Sequence, residues 1–125
     1  MRREREDGGQ ASVELALVLP LVMLLLLAVV QLGLLVRDQI LVVHAAREAV
    51  REAAVDPAAD APRRAALASS TLSDTRLTVS TSGRGAVGSR VRVEVAYRAS
   101  TGVPLLGAAM GDLTLRASAT MRVER

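Results

Sequence analysis

The chain has 125 residues, which is room for one small domain and one additional element. It contains no Cys, so disulfide bonds and thiolate metal sites are excluded. The formal net charge is +3 and every basic residue is Arg, but the Arg residues are dispersed and a single Tyr is the only aromatic residue, which argues against nucleic-acid binding.

Residues 1–9 predict a charged leader. The leader ends in Gly9, and Glu14 follows five positions later, directly before an apolar run. Taken alone, Glu14 is explained as a carboxylate in the first turn of a helix, where the helix dipole favours negative charge. The segment from Gly9 to Glu14 is therefore informative only together with the residues that follow it.

Residues 10–36 predict a transmembrane helix. Residues 15–36 are 22 consecutive positions without a charge, and Gln31 is the only polar side chain among them. A helix needs about 20 residues to cross the hydrocarbon core of a bilayer. A cleaved secretory signal has a shorter apolar core of about 7–15 residues, followed by a small-x-small cleavage site. Since no such site precedes Arg37, we expect a retained single-pass anchor.

Residues 37–56 predict an amphipathic continuation of the same helix. Apolar side chains recur there at helical spacing among Arg, Glu and Asp residues, and Glu48 and Arg51 can pair three positions apart. The residue before a proline avoids the helical region, so Asp56 and Pro57 end the pattern. We therefore expect one helix from about residue 11 to about residue 55.

Residues 57–125 predict a small α+β domain. A linker at 57–62 and a short helix at 63–72 precede three segments with alternating apolar and polar residues, at 77–81, 90–98 and 113–124. This alternation predicts an antiparallel sheet of about three strands with one apolar face. The fold class is α+β, with the amphipathic half of the long helix packed on that face. Because the core is small, we expect membrane anchoring or subunit packing to add stability.

The connection at 103–111 is apolar but too short to span a membrane. It can cap the sheet, touch the bilayer surface or meet a partner subunit, and a packed loop that covers the core is the favoured interpretation.

No catalytic or cofactor site is predicted. Residues 83–88 match the spacing G-x-G-x-x-G, but they lie between two strands without the helix and acidic residue of a dinucleotide site, so a hairpin loop is expected. His44 is the only histidine and is expected on the helix surface, where it cannot form a zinc site without a carboxylate cluster. We therefore expect no enzyme, no metal, no cofactor and no small-molecule substrate.

A resemblance to a known family suggests a function for the segment from Gly9 to Glu14. Gly followed five residues later by Glu and then by an apolar helix resembles the processing site of type IV pilins. Residues 10–20 look like the opening of TadE-like proteins, residues 45–51 resemble their helix after the membrane, and residues 113–124 are similar to their last strand. TadE-like proteins are minor pilin-like components of Flp/Tad pilus systems.

The resemblance implies a mechanism. A prepilin peptidase cleaves after Gly9, Gln10 becomes the N-terminus, and Glu14 neutralises the new amine of a neighbouring subunit, which sets the axial register. The implied partners are other pilin-like subunits, the Tad assembly machinery and the lipid bilayer, in pilus biogenesis and adhesion. The leader is then cytoplasmic and the sheet lies outside the cell membrane. The Arg counts on the two sides of the span are equal and leave this orientation open.

The alternative function is an unprocessed single-pass anchor that presents a small extracytoplasmic binding module. The mature N-terminus separates the two hypotheses, because only a processed chain begins at Gln10.

Overall fold

A single helix dominates the fold. The computed structural model describes residues 3–102 and 105–124. Helix α1, Arg3–Val55, joins the apolar run and the amphipathic continuation in 53 residues, as predicted. It begins at Arg3 and not near residue 11, because Gly8 and Gly9 do not interrupt it. A Gly inside a helix costs only about 1 kcal/mol relative to Ala, which neighbouring helical residues can offset.

Helix α1 ends where the proline predicts it. The carboxylate of Asp56 accepts a hydrogen bond from the Ala58 backbone N–H at 2.8 Å, which stabilises the turn after the helix. Helix α2, Ala61–Ala68, follows and is shifted from the predicted 63–72 because Pro62 occupies its first turn, where a missing N–H costs nothing. A 3₁₀ turn, Asp74–Arg76, then leads into the sheet.

The sheet has three antiparallel strands in the order β1-β2-β3. Strand β1 is Leu77–Ser82, β2 is Arg90–Ala99 and β3 is Leu113–Arg122, so the predicted strands are confirmed. The G-x-G-x-x-G segment forms the connection between β1 and β2. A short helix α3, Leu106–Met110, lies between β2 and β3.

The core lies between the sheet and the amphipathic half of α1, which confirms the α+β arrangement. Strand β2 is central, and alternate side chains along it are fully buried while their neighbours face outward. The facing side of α1 contributes mainly alanines, whose small side chains let the helix approach the sheet closely. The buried members are Val42, Ala45, Ala46, Ala49, Val50, Ala53 and Ala54 from α1 and Val91, Val93, Val95, Tyr97 and Ala99 from β2.

Two hydrogen bonds fix the direction of the sheet relative to α1. The side-chain amide of Gln39 donates to the carbonyl of Arg116 at 3.3 Å, and the N–H of Glu124 donates to the carbonyl of Ala54 at 3.0 Å. Strand β3 therefore runs along α1 in the same direction as the helix. As a result, the described residues of the connection between β2 and β3, 100–102 and 105–112, lie at the end of the sheet nearest the apolar half of α1; we name these residues the connector.

The connector does not cover the core, contrary to the favoured interpretation. Its described residues are not among those of the core, which α1 and α2 already close. Met110 lies instead beside α1, in a groove lined by Ala28, Gln31, Leu32 and Leu35. The direction of β3 explains the difference, because it brings the connector down beside the apolar half of the helix.

Candidate assembly site in the N-terminal helix

The predicted site residues lie close together in the first third of α1. Gln10 and Glu14 are four positions apart and therefore share one face of the helix. The side-chain amide of Gln10 donates a hydrogen bond to Oε1 of Glu14 at 3.4 Å. Both side chains are exposed. Glu14, which the family resemblance pairs with the amine of a neighbouring subunit, thus has a polar contact within its own chain.

Gly9 lies inside the helix, on exposed backbone. A Cβ added at Gly9 would meet no other atom within 4 Å, apart from the backbone of its own helix. This chain's fold therefore does not require a glycine there. A functional requirement for Gly9 would have to come from another protein that recognises it.

The apolar half of α1 beyond Glu14 is largely exposed. The stretch Gly9–Val55 contains a window of 18 residues with a mean hydropathy of 2.9, none of which is buried inside the structure. Leu, Val and Met side chains from Val13 to Val36 are mostly exposed. In water such a surface would be costly, at about 25 cal/mol for each Å². The helix is long and apolar enough to cross a membrane and fits a single-pass membrane protein.

These features coincide with a family match. Residues 9–51 match the family model described as TadE-like protein. This segment is TadE-like. The match spans 43 of the 125 residues, includes Gly9, Gln10 and Glu14, and ends before the sheet. Neither the curated proteins nor the solved structures contain a match to this chain. The matched family links residues 9–51 to Tad pilus systems.

Gln31 departs from the other residues of the apolar half of α1. Its exposed fraction is 3%, whereas its neighbours Val30 and Leu32 are 55% and 62% exposed. Within the described part of the chain, neither the nitrogen nor the oxygen of its amide has a hydrogen-bond partner. The sequence signal for this residue is that Gln31 is the only polar side chain in the uncharged run at 15–36.

The outer face of the sheet is strongly basic. The outward positions of β2 and β3 carry five Arg residues and one acid, Glu94. Arg116 contacts Glu94 at 3.5 Å, and Arg90 lies directly opposite Arg122 in the register. Like charges that face each other across strands are destabilising. The Arg residues are Arg90, Arg92, Arg98, Arg116 and Arg122.

In the part of the chain that the structure describes, no group of three or more His, Cys, Asp or Glu residues could hold a metal ion. His44 is exposed on α1, as expected, beside Gln39, Val43 and Arg47.

Proposed function

We propose that this protein is a minor pilin-like component of a Tad-type surface pilus, processed after Gly9 and acting in pilus biogenesis and adhesion. The observation that carries the proposal is the TadE-like match at residues 9–51, which begins at the processing residue and covers the whole exposed apolar helix. In this arrangement α1 anchors the chain in the cell membrane, with the leader in the cytoplasm and the sheet outside.

The structure offers a physical basis for cleavage after Gly9. Helix α1 passes through Gly8 and Gly9, and each Gly weakens a helix by about 1 kcal/mol relative to Ala. Local opening of the helix is therefore easiest at this position. A prepilin peptidase can reach the exposed backbone there, because no other described part of the chain lies over Gly9.

Cleavage changes the electrostatics of the helix end. It removes the charged leader and creates a cationic amine on Gln10, at the positive end of the helix dipole. In an apolar environment this amine is costly unless a carboxylate neutralises it. Glu14 is the first acid after Gln10, and no other charged side chain follows before Arg37.

Glu14 can serve a neighbouring subunit despite its contact with Gln10. The Gln10 amide reaches only Oε1, at 3.4 Å, a distance at which a hydrogen bond is weak. A charged amine is a stronger donor than an amide, so the amine of a neighbouring subunit would replace or extend this contact. The pairing then fixes how far one helix is displaced along the next.

A matched pair of glycine substitutions tests the processing step. Neither Gly9→Ala nor Gly33→Ala brings a Cβ within 4 Å of atoms outside the local helix backbone. Expressed with an active prepilin peptidase, wild type and Gly33→Ala should yield a chain that begins at Gln10 by intact mass. Gly9→Ala should retain the leader. A wild-type chain that keeps its leader, or efficient processing of Gly9→Ala, contradicts the proposal.

A second candidate function is an unprocessed single-pass anchor that presents a binding surface. The basic outer face of the sheet favours it, because five Arg residues lie there and one cross-strand pair, Arg90 with Arg122, joins like charges at a cost to stability. Such a protein would keep its leader and remain in the membrane fraction when pili are sheared from cells. The same mass measurement, made on both fractions, separates the two functions.

A further inference from the structure

The connector reaches the apolar half of α1 at a defined height. Met110 lies against Ala28, Gln31, Leu32 and Leu35, all of which belong to the uncharged run that ends at Val36. A helix rises about 1.5 Å per residue, so Gln31 lies about 7.5 Å inside the end of that run. Part of the connector therefore lies beside the segment that is apolar enough to cross a membrane.

The connector itself suits an apolar environment. No residue from 102 to 111 is charged. The side chains of Leu105 and Met110 are 71% and 55% exposed, although they belong to the folded part of the chain. In water both exposures would be unfavourable, whereas contact with lipid chains removes that cost.

Leu105 carries a second cost. Its φ angle is 70°, and it is the only residue other than glycine with a positive φ in the described chain. A leucine in this region is strained, by roughly 1–3 kcal/mol, and glycine would avoid the strain. An exposed, strained leucine is explained when its side chain has an apolar surface to contact beyond the protein.

The burial of Gln31 points in the same direction. Its amide lies in the groove that Met110 helps to line and has no hydrogen-bond partner among the described residues. In water the amide would gain by remaining exposed, because solvent would form the missing hydrogen bonds. Lipid chains offer no hydrogen bonds, so an exposed Gln31 amide would gain nothing there. In the membrane, Met110 can therefore pack over the amide without displacing water.

We propose that the connector is a second membrane contact, which inserts at the edge of the leaflet nearest the sheet and places Leu105 and Met110 among lipid chains. The inference rests on the proposed anchoring by α1. It adds that the sheet is held at the bilayer surface at two points, the helix and the connector. The domain therefore contacts the membrane surface directly and is not attached through α1 alone.

The absence of native cysteine allows a direct depth measurement. Single spin labels at Ala109→Cys and Met110→Cys would be compared with labels at Leu24→Cys in the middle of the span and Thr120→Cys on the outer sheet face. Ala109 is exposed and does not line the groove, so it reports even where substitution of Met110 disturbs the packing. The full chain would be reconstituted in vesicles of phosphatidylethanolamine and phosphatidylglycerol.

Accessibility to oxygen, relative to a water-soluble nickel complex, reports the depth of each label. The proposal predicts values for Ala109 and Met110 that lie between those of Leu24 and Thr120. Values at both connector positions equal to that of Thr120 would overturn it, even with Leu24 deep in the bilayer. If Leu24 is itself accessible to the nickel complex, anchoring by α1 fails together with the connector contact.

Discussion

The side-chain amide of Gln10 donates to Oε1 of Glu14 at 3.4 Å, one helical turn along α1. The carboxylate that is proposed to set the register between subunits therefore lies on the same face of the helix as Gln10, the residue whose amine cleavage would create. A long and exposed contact of this kind contributes little stability. The contact with Gln10 therefore orients the Glu14 carboxylate but is weak enough to be replaced by a stronger donor.

Replacing this acid should affect assembly and not folding. We expect Glu14→Gln to insert in the membrane normally but to reduce the amount of the chain in sheared pili, because an amide cannot neutralise an amine in an apolar interface. Glu48→Gln is the matched control, since Glu48 is on the same helix outside the span and its pair with Arg51, at 3.9 Å, is exposed. Equal recovery of both variants in the pilus fraction would refute a register role for Glu14.

The central strand should dominate the stability of the domain. The side chain of Val93 on β2 is fully buried on the face of the sheet that packs against α1, whereas Val87 in the hairpin loop is 71% exposed. Val93→Ala removes two buried carbon atoms and leaves a cavity, at a cost of about 2 kcal/mol. Val87→Ala should cost almost nothing. Thermal unfolding of the full chain in detergent, followed by circular dichroism, measures both; similar losses would contradict this placement of the core.

The basic face of the sheet should be a source of instability. Arg90 and Arg122 are both exposed and lie directly opposite each other on β2 and β3. We expect Arg122→Glu to stabilise the domain by roughly 0.2–1 kcal/mol, because it replaces a like-charge pair with an opposite-charge pair.

Arg98→Glu provides the comparison for Arg122→Glu, since Arg98 faces Thr114 in the register. Its effect on the melting temperature at low salt should be smaller than that of Arg122→Glu. Added salt should reduce the difference, because screening weakens interactions between exposed charges. A stabilisation by Arg122→Glu that persists unchanged in high salt would argue against a charge effect.

The shape of the connector should depend on Gly107. A Cβ at Gly107 would lie 2.6 Å from the carbonyl oxygen of Thr101, whereas a Cβ at Gly102 would meet nothing within 4 Å. Gly107→Ala must therefore separate α3 from Thr101 and change the conformation of the connector. We expect it to change the spin-label accessibility at Ala109 in vesicles, and we expect Gly102→Ala to leave it unchanged. Identical accessibilities in both variants would show that this contact does not position the connector.

Local sequence patterns predicted the elements that depend on local physics. The alternation around Val91, Val93 and Val95 predicted β2, and Asp56 with Pro57 predicted the end of α1. The start of α1 was wrong because two glycines weaken a helix without ending it. The patterns predicted which face of each strand and of the helix is apolar. Since these apolar faces must pack against each other to leave water, the patterns also predicted a helix layer on a sheet layer.

The position of the connector could not be predicted in the same way. An apolar segment can pack on any apolar surface, and the choice depends on the direction of β3 along α1, which the distant contact between Gln39 and Arg116 reports. The burial of Gln31 follows from that same long-range geometry. The residues Gly9, Gln10 and Glu14 were found through family resemblance, since the bare properties of Glu14 fit any helix that begins near a membrane.

The most direct test of the central claim is the mass of the chain in pili sheared from cells. The proposed function predicts that the chain is present in this fraction and that it begins at Gln10. A chain found only in the membrane fraction, with residues 1–9 still attached, would contradict the proposed role and favour the unprocessed anchor.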